Sequence, residues 1–194
     1  MTGRADVTEE NRLIARTVAE VFGGAPAVHT WWDDEKKNSV DILSSEGSPR
    51  AGVTAYATVN LSNTVLTDAP KDLRVELLGA CQSDVEGFPG LLSTCAFNVI
   101  EHGALIAPGV IFPDVVATYD LSATLKHILF VPPFFWGEAP ATLKTPKRTV
   151  AWLLALPISD AELEHLTANG ISSLMDIMEA RRPDVFDLNR PSVV

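Results

Sequence analysis

The stretch Leu156–Gly170, LPISDAELEHLTANG, brings Glu162, Glu164 and His165 within one helical turn. Glu162 and His165 form E-x-x-H, which puts a carboxylate and an imidazole on one face of a helix. Carboxylate-bridged metal centres use that spacing, and a carboxylate beside an imidazole also suits acid–base chemistry. Such a centre needs a second copy of the motif and further glutamates from other helices, and no second copy occurs. The same residues have a purely structural use. Ser159 precedes Glu162 by three positions, the spacing of a capping box, with Ile158 and Leu163 placed as a hydrophobic staple. Asp160 suits the positive end of the helix, and Asn169-Gly170 supplies its stop. Capping is the better account, and on it Glu162→Gln is nearly silent, because glutamine also completes a capping box.

Other catalytic patterns are missing. The sequence has no G-x-S-x-G, no G-x-x-x-x-G-K-[ST] and no G-x-G-x-x-G after a strand. His29, His102 and His127 stand singly, and Cys81 and Cys95 lie in apolar patterns that predict buried thiols. A Cys–His pair meeting in space stays open, with no local support. The two short helices around Asn169-Gly170 resemble a helix-turn-helix in outline. However, the second bears Asp176 and Glu179 against only Arg181 and Arg182, a poor face for phosphates.

Two aromatic clusters suggest recognition instead. TWWDDE sets Trp31 and Trp32 beside Asp33, Asp34 and Glu35, and PPFFWGE holds Phe134, Phe135 and Trp136 between Pro and Gly. Neighbours on a strand point to opposite faces, so one member of each pair is left without a core position. Aromatic side chains of this kind anchor protein interfaces. The alternative is that they cover the sheet and lock loops onto it, with the three acids forming a solvated turn. These eight residues are the candidate partner-binding set.

The elements that must carry these residues follow from periodicity. Residues 8–22 predict an amphipathic helix capped by Thr8, with Leu13, Ile14, Val18, Val21 and Phe22 as its stripe and Gly23-Gly24 as its stop. Residues 28–32 and 40–44 read as a hairpin, and 52–61 alternates like a strand with one buried face. Residues 73–81 form another strand, 88–103 a helix, and 110–112, 127–131 and 149–156 short strands. Helices over 160–168 and 171–181 close the chain. The pattern predicts one α+β domain over 1–194, a central mixed, largely antiparallel sheet flanked by helices.

With 46% hydrophobic residues in 194, wholesale disorder is excluded. Fifteen Lys and Arg against 25 Asp and Glu give a net charge of −10, which repels phosphate backbones and favours a basic protein partner. The N-terminus lacks an apolar leader, and the longest apolar run, 150–158, is far short of the ~20 residues that span a membrane. The expectation is a soluble, cytoplasmic chain with no cofactor, metal, nucleic acid or membrane partner.

Taken together, GVTAYATVNLS (52–62), LRVELLGAC (73–81), PPFF (132–135), WLLALPISDAELEHLTANGISSLMDIM (152–178) and NRPSVV (189–194) resemble the Suppressor of fused family. The likeness is to its short single-domain bacterial members and covers roughly residues 50–194. Val59-Asn60 departs from the pattern, in which glycine is common. The resemblance implies a fold like the N-terminal domain of that family, used for protein binding. Animal relatives hold a transcription factor in an extended segment between two domains, and bacterial relatives act as immunity proteins that neutralise a toxin. It therefore implies a non-enzymatic immunity protein with a basic toxin domain as partner. The rivals are an enzyme assembled from Glu162, His165 and a cysteine or acid elsewhere, and a scaffold domain of a larger assembly.

Overall fold

The structure is a computed structural model that describes residues 7–67, 69–70 and 72–194. Residues 1–6, on which the expectation of no leader fell, together with Asp68 and Lys71, lie outside the described residues. Helix α1 (Glu9–Phe22) starts where the Thr8 hydroxyl accepts from the Asn11 amide at 3.1 Å, with Glu9 and Glu10 in its first turn. It buries Ile14, Val18 and Phe22, an i, i+4, i+8 line, whereas Leu13 lies off that line and stays 40% exposed. The expected stripe is thus narrower than its residues suggest.

Strands β1 (Ala27–Trp32), β2 (Ser39–Glu46), β3 (Val53–Thr58) and β4 (Leu73–Gln82) form an antiparallel meander. After it come α2 (Phe88–His102), β5 (Ile111–Phe112), α3 (Val115–Thr118), β6 (Leu125–Val131), β7 (Leu143–Lys144), β8 (Thr149–Ser159) and α4 (Asp160–Arg181). All eight strands join one sheet in the order β1-β2-β3-β4-β8-β6-β5, with β7 paired to the start of β8. Only β4 and β8 run parallel, and the long crossover that a parallel pair requires carries α2 and β5–β7. This is the mixed, largely antiparallel α+β sheet that the alternating patterns predict.

Helices cover both faces. On one, Phe88, Leu91, Leu92, Cys95 and Val99 of α2 and Val116 of α3 pack on Tyr56, Leu77, Ile128 and Phe130. On the other, Ile14 and Val18 of α1 and Leu174 and Met178 of α4 pack on Leu43, Ala55, Leu78, Leu154 and Leu156. Every residue of β3 is therefore buried, contrary to the single wet face expected from its alternation. Its second face is polar only by composition: Thr54 donates to Ser83, and Tyr56 stacks on Phe88 with ring centroids 5.5 Å apart. At Gly79 a Cβ would stand 2.5 Å from the Phe88 ring, so that ring packs directly on backbone. The Val59-Asn60 departure costs nothing, because Asn60 has φ −145° and its side chain accepts from the Asp41 amide at 2.8 Å.

Two buried carboxylates organise the chain between these layers. Glu76 on β4 accepts from the Thr58 hydroxyl at 2.5 Å and from the amides of Leu61 at 3.2 Å and Ser62 at 3.0 Å. The two amides open the 3-10 turn Leu61–Asn63, where backbone donors have no partner within the turn. Burial pushes the Glu76 carboxyl above its ordinary value, and these donors offset that only in part.

Glu162 has a larger task. It completes the expected capping box, donating its amide to the Ser159 hydroxyl at 3.1 Å and accepting the Ser159 amide at 2.9 Å. Beyond the box, its two oxygens take a bidentate pair from Arg190, at 2.6 and 3.0 Å, and the amide of Val193 at 2.9 Å. Arg190 also donates to the Pro157 carbonyl at 3.1 Å, so strand end, helix start and C-terminal tail meet at one carboxylate.

Two outcomes follow for stability. Both members of the Glu162–Arg190 pair are essentially unexposed, at 0% and 2%. Glu162→Gln keeps the cap but strands Arg190, so it is expected to lower the unfolding free energy by about 3–5 kcal/mol in urea titration. A silent Glu162→Gln would restore the pure capping account. For Glu76, the folded state holds the proton to higher pH than the unfolded chain does. Its contribution is then fully present below the usual carboxylate range and is lost as pH rises above that range through the higher folded value. Wild type should therefore lose ground to Glu76→Gln as pH rises above the usual carboxylate range, and a pH-independent difference would contradict this.

Candidate functional site

Asp33 builds the β1–β2 turn. One carboxylate oxygen accepts the Lys37 amide at 2.7 Å, and the other accepts the amide and side chain of Asn38 at 2.8 and 2.9 Å. Desolvation acts to raise the Asp33 carboxyl, but the amides of Asn38 and Lys37 outweigh it and hold the group below its ordinary value. Lys36 adopts the left-handed conformation, with φ 54°, which sends Asp34 and Glu35 into solvent. Glu35 pairs with Lys37 at the surface.

The two tryptophans split across the sheet. Trp31 faces Val40 and packs on the α2-side core, while Trp32 points the other way and is 38% exposed. Phe134, Phe135 and Trp136 behave differently. Phe134 is 42% exposed, but Phe135 packs edge-on against Phe134 and Phe186, with centroids 4.8 and 4.7 Å away. Trp136 lies 4.7 Å from the Phe22 ring and donates its indole N–H to Ser48 at 3.1 Å. Phe135 and Trp136 therefore fasten their loop to the α1–α4 side, the face opposite Trp31. The structure does not bring the two aromatic clusters together around one spot.

Nor do Glu162 and His165 converge. Glu162 is turned inward to Arg190, whereas His165 shares hydrogen bonds with Ser173 at 2.9 Å and Asn169 at 3.3 Å. The Ser173 contact bridges Gly170, whose non-helical φ 83° and ψ 165° divide α4 into the two segments expected. Among the described residues, no group of three or more His, Cys, Asp or Glu is disposed to hold a metal ion.

Sequence reasoning missed three polar residues and one cavity. Arg190 has its partner 28 positions away, and no local pattern signals that. Glu76 sits in a strand-like run where its burial is invisible. His127 is buried: its Nδ1 accepts the Asp114 amide at 3.0 Å, which leaves Nε2 to donate to Asp160 at 2.9 Å. Lys126, then His127, hold the Asp160 carboxyl below its ordinary value. A cavity of about 330 Å³ opens between the loops that follow β3 and α2, lined by residues such as Leu66, Leu73, Val99 and Ile106. Its signal was faint: Val65 and Leu105 are large apolar residues inside loop-like sequence.

Comparison with known proteins places this arrangement. The chain is 45% identical over 192 residues to "Immunity protein YqcF" of Bacillus subtilis (strain 168), covering 97% of this chain and 99% of that protein. Among solved structures, a Suppressor of fused homolog from Neisseria gonorrhoeae FA 1090 superposes with TM-score 0.72 at 13% identity, covering 96% of this chain and 97% of that one. A chain of the Sufu-Fu complex gives TM-score 0.68 at 14% identity, covering 95% and 92%. Both share the fold. Residues 36–191 match the family model described as Suppressor of fused protein (SUFU), and the chain belongs to that family.

Proposed function

We propose that this chain is a bacterial immunity protein, a non-enzymatic and cytoplasmic binding protein that neutralises a basic toxin domain by covering it. The observation that carries the reading is the 45% identity, across nearly the full length of both chains, to a protein named as an immunity protein. The Sufu-Fu complex, which has the same fold, adds a precedent for a protein partner. The net charge of −10 favours a basic partner and fast encounter with it.

The contact surface in this reading centres on the exposed part of the candidate set. Trp32, Asp34 and Glu35 offer one apolar anchor beside acids, with Asp33 shaping the turn and Trp31 bracing it from the core. Phe134 offers a second exposed ring, supported by Phe135 and Trp136. Phosphate-seeking or nucleophilic chemistry finds less support. Burial pushes the Cys81 thiol up to about 12 and raises Cys95 as well, so neither supplies a thiolate at neutral pH. Among the described residues, no helix is long and apolar enough to cross a membrane.

Co-expression with the product of the adjacent gene tests the reading, with cell survival and the Kd of the purified pair as readouts. Wild type should protect, and Trp32→Ala should weaken binding roughly 30-fold, the effect of losing an anchor worth about 2 kcal/mol. Unchanged affinity for Trp32→Ala would remove that patch, and failure of the wild type to bind or protect would remove the immunity reading. On the thiols, native protein at pH 8 should resist labelling by an aromatic disulfide reagent until denaturant is added. Rapid labelling of either cysteine in the folded state would reopen the nucleophile question.

A further inference from the structure

The cavity between the loops after β3 and α2 has no place in the contact surface described so far. None of its described lining residues is charged, and the one indole N–H among them, that of Trp152, is already donated to the Ala141 carbonyl at 3.1 Å. Its walls are side chains such as Leu66, Leu73, Val99 and Ile106, which belong to or pack on the α2-side core. Its lips are Val65 and Leu105, at 65% and 57% the two most exposed large hydrophobic side chains among the described residues.

We infer that this cavity is a socket for one aliphatic or aromatic side chain of a basic protein partner, flanked on that partner by lysine or arginine. The inference rests on the immunity reading and names the anchor by which such a partner is held. Size limits the occupant: about 330 Å³ is at the low end of the roughly 300–1,000 Å³ of ligand pockets, enough for a large side chain. The lips decide between a small molecule and a protein. A compound inside the cavity would leave Val65 and Leu105 wet, whereas a protein surface laid across the mouth covers both.

Charge sets the partner's sign. Helix α2 ends at the mouth, so its unpaired C-terminal carbonyls bring partial negative charge to Gly103–Leu105. Glu101 lies just before that end, and Asp72 just before Leu73 in the wall. Among the described residues near this rim, Lys37 pairs with Glu35 at the surface. The mouth is thus apolar at its centre, with the carboxylates of Glu101 and Asp72 next to its lining residues, as an interface core and rim require.

The test compares binding of the adjacent gene's product to wild type, Val65→Asn/Leu105→Asn and Asp34→Asn/Glu35→Gln by surface plasmon resonance at two salt concentrations. Both lip residues are exposed, so the lip variant should melt with the wild type. Loss of the anchor should speed dissociation at least tenfold with association unchanged, whereas the acid variant should slow association and flatten its salt dependence. Wild type binding with a lip variant that dissociates less than tenfold faster overturns the socket and leaves the immunity reading intact. Wild type that neither binds nor protects overturns that reading and the socket with it.

Discussion

The Glu162 carboxylate sits where β8 ends and α4 begins, inside the protein and away from water. A lone ionised carboxylate there would be prohibitively costly. It is tolerable because four donors converge on it: two from Arg190, and the amides of Ser159 and Val193. Acceptor and donors come from three places in the chain, so none of the three can settle without the others. The strand must reach Ser159, the helix must start at Asp160, and the tail must fold back from Leu188 to Val193. Val193 and Leu188 then bury on opposite faces of the sheet, which seals both cores at once. Whether such a pair adds net stability over an apolar replacement is a separate matter from its specificity, because replacing both members by apolar residues is often neutral.

The local half of this arrangement was legible in the sequence. Ser159, Asp160, Glu162 and Asn169-Gly170 carry their meaning within one helix, and the capping box and the break at Gly170 appear as expected. The hairpin of β1 and β2, the strand character of 53–58 and 73–82, and helix 88–102 were equally readable from period and turn residues. What escaped was whatever depends on distant partners. Arg190 reads as an ordinary surface cation in a polar tail, and Glu76 as the polar side of an alternating strand. The burial of both faces of β3 was hidden for the same reason: Thr54, Tyr56 and Thr58 look wet until α2 and its Phe88 ring are laid over them.

The candidate site was legible in chemistry and not in place. The sequence distinguishes aromatic-acidic clusters from catalytic motifs, and the acids do form a solvated turn with Trp32 beside it. Strand alternation correctly divides Trp31 from Trp32. It says nothing of where the loop after β6 folds, and Phe135 and Trp136 turn out to brace α1 and Phe186. The apolar mouth at Val65 and Leu105 was not flagged, because isolated loop hydrophobics carry no period.

With helices laid over both sides of the sheet, the loops at its perimeter hold the most exposed large apolar side chains among the described residues, Val65 and Leu105. Residues on that perimeter, such as Asp34, Val65 and Leu105, take little part in either core. They are therefore free to vary in size and charge with small effects on folding. A scaffold so divided tolerates new side chains at its rim, while the interior that keeps it folded goes unaltered.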